Sequence, residues 1–106
     1  MGGINMDTEN LWPVVLQVIP TDDYKIYVYF NDGTVRLFDV APLMKPDTVF
    51  EKLKDINVFK NAATVLNDTA AWDIEGNRDT RKCIDLDPFV LYEQAIVEDP
   101  IKETAA

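Results

Sequence analysis

The fold class this sequence predicts is α+β: an antiparallel sheet that starts as a three-stranded meander, short helices packed on one of its faces, and a C-terminal helix. Three observations predict it. Apolar and polar side chains alternate through 24–30, β-branched runs stand on either side of that stretch, and the spacing turns helical after Pro46 and again after Asp87. A chain of 106 residues, 47% hydrophobic, suffices for one domain with a core of its own. That core is expected at about 14–97, with 1–10 and 99–106 flexible.

The first strand is Val14-Val15-Leu16-Gln17-Val18-Ile19, closed by Pro20 and the turn residues Thr21-Asp22-Asp23. In the second, 24–30, Tyr24, Ile26, Val28 and Phe30 share one face and Lys25, Tyr27 and Tyr29 the other. Asn31-Asp32-Gly33-Thr34 supplies a tight turn into the third strand, 34–40. If the loop is the two residues Asp32-Gly33 in a type I′ turn, then Phe30 faces Val35, Val28 faces Leu37, Tyr27 faces Phe38, and Tyr29 pairs with Arg36.

Thr48-Val49-Phe50-Glu51 has the spacing of a capping box, and Asp55 can cap a second turn, so two short helices are expected near 48–60 with Phe50, Leu53 and Phe59 inward. Residues 63–66 and 70–74 read as two more strands joined by Asn67-Asp68-Thr69. Asp87 at the N-cap and Pro88 at the first helical position start a last helix, expected over 88–97 with Phe89, Tyr92 and Ile96 on one face.

Composition excludes more functions than it suggests. The chain has no His and no Ser, which removes Ser-His-Asp and Cys-His machinery and every imidazole metal site. A formal net charge of -9 has the wrong sign for direct nucleic-acid binding. No run is long and apolar enough for a membrane span, and the N-terminus lacks the basic and apolar regions of a signal peptide, so a cytoplasmic location is expected. The charge is uneven. Residues 1–35 carry a net of -4, 36–82 balance to zero, and 83–106 carry -5. If the two acidic stretches meet in the fold, they form a surface that steers a basic partner.

Candidate chemistry is sparse. Asp73, Glu75, Asn77 and Asp79 alternate like calcium ligands, but position six of that loop is Arg78 where glycine is needed, and position twelve is Ile84 where glutamate is needed. The expectation is a polar connecting loop with Arg78 and Arg81 paired to carboxylates. Cys83 follows Arg81 and Lys82, which favours a thiolate, yet the alternation around it reads equally as a small buried strand residue. Asp85 and Asp87 form no evident acid–base pair, since Asp87 already serves as a cap. No catalytic residue, metal or cofactor is therefore assigned, and no enzymatic activity is expected.

The order of signatures Asp22-Asp23-Tyr24-Lys25, Phe30-Asn31-Asp32-Gly33-Thr34-Val35-Arg36-Leu37-Phe38-Asp39-Val40, Pro42-Leu43, Val49-Phe50-Glu51-Lys52-Leu53-Lys54-Asp55, Trp72, Ile84-Asp85-Leu86-Asp87-Pro88 and Leu91-Tyr92-Glu93 resembles the small bacterial family called domain of unknown function 2442. The resemblance covers about 14–93, and the stretch between Trp72 and Ile84 resembles variants with an extra loop. It implies an α+β domain, sometimes fused to a helix-turn-helix module and frequently encoded beside another small protein. Such pairs are regarded as candidate toxin–antitoxin systems. The resemblance carries no catalytic motif.

The leading functional expectation is accordingly a non-enzymatic interaction protein, the antitoxin component of a two-gene pair, binding a basic protein encoded next door; homo-oligomerisation stays open. The alternative is a ligand-binding or sensory module acting with a transcription regulator. Partner-binding candidates are the aromatic and aliphatic side chains not claimed by the core, Trp12, Tyr27, Tyr29 and Ile101, together with Asp22 and Asp23. Asp22, Asp23, Asp32, Glu93, Glu98 and Asp99 are expected to face solvent.

Overall fold

The computed structural model describes residues 12–101. Its strands are β1 (Val15–Pro20), β2 (Lys25–Phe30), β3 (Val35–Asp39), β4 (Ala63–Leu66), β5 (Thr69–Trp72), β6 (Ile84–Asp85) and β7 (Ile96–Val97), with helices α1 (Ile56–Ala62) and α2 (Pro88–Tyr92). Two 3-10 segments, Ala41–Leu43 and Val49–Lys54, precede α1. All pairing is antiparallel, in two sheets and not one: β1-β2-β3-β7 and β4-β5-β6. The expected α+β class and opening meander are present; the flanks 1–10 and 102–106 lie outside the described residues.

The β2–β3 register differs from the expected one by a single residue. Tyr29 pairs with Val35, Val28 with Arg36, Tyr27 with Leu37 and Ile26 with Phe38. The turn is three residues long: Gly33 N–H donates to the Phe30 carbonyl at 3.0 Å, Phe30 N–H donates to the Thr34 carbonyl at 2.9 Å, and Gly33 sits at φ +88°. One extra loop residue exchanges the faces of β3. Arg36 and Phe38 now share a face with Ile26, Val28 and Phe30, whereas Val35 and Leu37 join Tyr27 and Tyr29 on the other. The two-residue type I′ geometry occurs instead at Asn67-Asp68, where φ is +55° and +67° and Leu66 pairs with Thr69.

A bulge at Leu16 shifts the β1 register, so that Val15 faces Phe30 and Val18 faces Val28 although three positions separate the two valines. Both therefore reach the core. There they meet Ile26, Val28 and Phe30, Trp72 from β5, Phe59 from α1, Leu53 and Leu91. The Trp72 indole N–H donates to the Phe59 carbonyl at 3.0 Å, which lets a large polar-tipped ring lie fully buried. Asp55 caps α1 as expected, accepting from Asn57 N–H at 3.0 Å. The expected box at Thr48 does not form: Glu51 accepts from the N–H of Asp47, one residue before the cap, at 3.0 Å, and the Thr48 hydroxyl donates back to the Lys45 carbonyl at 2.8 Å.

The last helix is shorter than 88–97. α2 ends at Tyr92, and Ile96-Val97 crosses to pair with β3. Consequently Leu91 is the residue α2 buries, and Phe89 and Ile96, expected on an inward stripe, are 47% and 61% exposed. Arg36 fixes this crossing. Its Nη1 donates to the Tyr92 carbonyl at 2.7 Å and to the Gln94 carbonyl at 2.9 Å, with the guanidinium 4.2 Å from the Tyr92 ring centroid. It does not pair with Tyr29.

Candidate functional site

β2 places two sets of acidic residues at its two ends. Before it, Asp22 pairs with Lys60 of α1, and Asp23 lies 3.6 Å from the Lys25 ammonium while accepting from the Thr21 hydroxyl. The Thr21 hydroxyl and then Lys25 hold the Asp23 carboxyl below its usual range. Both carboxylates are exposed, as expected, but each already faces a lysine.

Beyond its other end, Asn31 ties the entering chain to the turn. Its Oδ1 accepts from Val14 N–H at 3.1 Å and its Nδ2 donates to the Trp12 carbonyl at 3.2 Å. Trp12 is thereby held at 67% exposure with its ring edge-on to Phe89, centroids 5.6 Å apart. Asp87 caps α2, accepting from Phe89 N–H at 2.9 Å, and Pro88 follows at the first position. With Leu91 turned into the core, this short helix presents Phe89 and Val90, the latter 42% exposed. Asp32 belongs to the same corner: one carboxylate oxygen accepts from the Thr34 N–H and hydroxyl at 2.9 and 2.6 Å, the other from the Tyr92 hydroxyl at 2.6 Å. Partial desolvation pushes the Asp32 carboxyl up, and the Thr34 and Tyr92 hydroxyls outweigh it, leaving it below the ordinary value. The Tyr92 phenol is raised by that bond and by desolvation. Asp32 from the first acidic stretch thus meets Tyr92 of α2 from the last, whereas Asp22 and Asp23 lie at the far end of β2.

Tyr27, Tyr29 and Ile101 form a third group. Tyr27 and Tyr29 are half-buried on the sheet face turned away from the core, near Ile19, Leu37 and Val35. The Tyr29 hydroxyl donates to Asp99 at 2.5 Å, and burial followed by that carboxylate raises its pKa strongly. Asp99 is therefore half-buried, unlike Asp22, Asp23, Asp32, Glu93 and Glu98, which face solvent. Ile101 is 51% exposed and its N–H donates to Asp99 at 2.8 Å. The six sequence candidates consequently occupy three places. Phe89 and Val90, which join Trp12, were masked in the sequence by a stripe that ran on to Ile96; the β-branched pair Ile96-Val97 is the signal that the helix stops earlier.

Asp73 organises the loop that imitates a calcium site. Its two oxygens accept from Gly76 N–H at 3.0 Å and Arg78 N–H at 2.8 Å, and Gly76 and Arg78 take φ of +75° and +56°. Arg81 pairs with Asp79 at 3.3 Å, and Arg78 donates to the Val65 carbonyl at 3.0 Å, a backbone partner in place of the expected carboxylate. Among the described residues no group of three His, Cys, Asp or Glu is arranged to hold a metal ion. The Cys83 thiol donates to the Asp79 carbonyl at 3.2 Å, and desolvation together with Asp73 raises its pKa, which keeps it protonated. A shallow hollow of about 270 Å³ lies between Asn57, Val58, Asn61 and Ala62 of α1 and Asp73 and Ile74.

These features define a small two-sheet α+β domain with Trp12, Phe89 and Val90 exposed at the corner that also holds Asp32 and Asp87. The chain belongs to the family described as Protein of unknown function (DUF2442), whose sequence profile matches residues 15–97. No curated protein and no solved structure matches it. No helix among the described residues is long and apolar enough to cross a membrane.

Proposed function

We propose that this protein is a non-enzymatic interaction module that binds a basic protein encoded by an adjacent gene, acting as the antitoxin half of a two-gene pair. The observation that carries this reading is the charge arrangement: residues 83–101 hold five carboxylates, four of them exposed, and no Lys or Arg, and Asp32 from the opposite part of the chain is bonded to Tyr92 within that stretch. Such a surface draws a basic protein in quickly, while desolvated apolar contacts keep it bound. Binding of the partner at its own active surface would be the means of neutralisation.

The test is to purify the adjacent gene's product and measure both rate constants with the full chain at low and high salt. A complex is expected, with association slowing steeply in salt and dissociation changing little. Absence of a complex, or a salt-independent association rate, ends the reading. The hollow beside α1 favours the alternative, a ligand-binding sensory module. It is the weaker reading, because the hollow is open and both oxygens of its Asp73 are spent on the backbone of their own loop.

A further inference from the structure

Trp12, Phe89 and Val90 form an apolar step at the α2 corner, 67%, 47% and 42% exposed, although Trp12 and Phe89 already cover part of each other. Four exposed carboxylates stand around it: Asp85 and Asp87 lead into α2, Glu93 follows its last residue, and Asp32 is bonded to Tyr92. Arg36 beside them is half-buried and donates to the carbonyls of Tyr92 and Gln94 and to the Thr34 hydroxyl; it offsets Asp32 only weakly and leaves the other three carboxylates unpaired by it. The backbone of the step is also anchored. Asn31 holds the Trp12 backbone, and Asp87 and Pro88 hold the start of α2, so little conformational freedom is lost when it is covered.

We infer that the Trp12–Phe89–Val90 step is the docking surface for the basic partner, and that its occupant is a segment in which Lys or Arg residues flank an aliphatic or aromatic anchor. The inference rests on the proposed function and adds to it the place and chemistry of contact. Charge decides between occupants. The chain's own 1–11 carries Asp7 and Glu9 and no base, so placing it here would set like charges together. A second copy brings a net charge of -9 to the same acidic rim. A cationic segment relieves both conflicts, its charges meeting the rim while its anchor enters beside Trp12, the residue type most enriched among dominant interface contacts.

The experiment measures binding of the adjacent gene's product to the full chain and to variants, each checked for folding by circular dichroism. The double variant Trp12→Ala, Phe89→Ala is expected to bind about a hundred-fold more weakly, chiefly through faster dissociation. Glu93→Lys should slow association about ten-fold at low salt, an effect that high salt removes. Asp47→Asn, an exposed carboxylate outside both acidic stretches, should bind like the parent. Because Phe89 and Glu93 are exposed and lie outside the core, both variants should fold; if the double variant does not, Glu93→Lys carries the test alone. Parent-like binding by a folded double variant, or by Glu93→Lys at low salt, overturns the docking surface and leaves the partner reading standing. A parent chain that forms no complex overturns both. A parent that sediments as a dimer and becomes monomeric with Phe89→Ala replaces the partner with a second copy.

Discussion

At one end of β2, Asp22 and Asp23 face Lys60 and Lys25; at the other, Asp32 accepts from the hydroxyls of Thr34 and Tyr92. The distinction lies in what each partner does to the charge. A lysine cancels a carboxylate's field within a few ångströms, whereas a neutral hydroxyl stabilises the charged form without removing it. The first end is electrostatically quiet. At the second, Arg36 makes no direct pair with Asp32 and acts on it as the weakest of its influences, so most of the negative charge stays beside exposed aromatic rings. Residues of one type, separated by one strand, therefore suit different purposes, and sequence charge counts do not distinguish them.

Breaking the second end should cost most. Arg36→Ala removes three charge-assisted hydrogen bonds, to the Tyr92 and Gln94 carbonyls and the Thr34 hydroxyl, and the contact with the Tyr92 ring, leaving two carbonyls without this donor and β7 poorly held. A loss of about 3 kcal/mol is expected from urea unfolding. Gly33→Ala forces a side chain into φ +88° where no atom lies within 4 Å of the added carbon, so the cost is conformational alone. It should be about 1–2 kcal/mol by the same assay.

Tyr92→Phe keeps the ring under Arg36 and deletes the bond to Asp32, and its effect should be under half that of Arg36→Ala. Its signature is in pH. Because Asp32 titrates lower in the folded protein than in the unfolded chain, its contribution is complete above the unfolded value near 4 and is lost as pH falls through the lower folded value. Unfolding midpoints followed from pH 6 down to pH 2.5 should therefore fall less steeply in Tyr92→Phe than in the parent. At the quiet end, Lys60→Ala breaks an exposed pair and should shift stability by no more than about 0.5 kcal/mol, less still in high salt. A loss there as large as that of Arg36→Ala would erase the contrast between the two ends.

Local chemistry made much of this architecture readable in advance. The alternation from Tyr24 to Phe30, the caps Asp55 and Asp87 and the Asn67-Asp68 turn each depend on neighbours a few positions away. What was not readable depended on length or distance. Asn31-Asp32-Gly33 suits either a two- or a three-residue loop, and that single choice decides whether Leu37 or Arg36 turns inward. The end of α2 depends on β3 offering an edge to Ile96 and Val97. Of the candidate surface, Trp12 was legible as an aromatic residue without a core role. Phe89 and Val90 were not, because only the burial of Leu91 shows which side of α2 faces out.

The Leu16 bulge bears on how the molecule behaves in a crowd. β1 is an edge of the four-stranded sheet, and an edge strand offers unpaired backbone groups to any other extended chain. Here the bulge interrupts the ladder near its start and Pro20, which lacks an N–H, closes its end. An incoming strand would find few consecutive groups in register between the two interruptions. The irregularity that turns both Val15 and Val18 toward the core thus also blunts a template for aggregation, and a protein with Trp12 and Phe89 exposed has particular need of that protection.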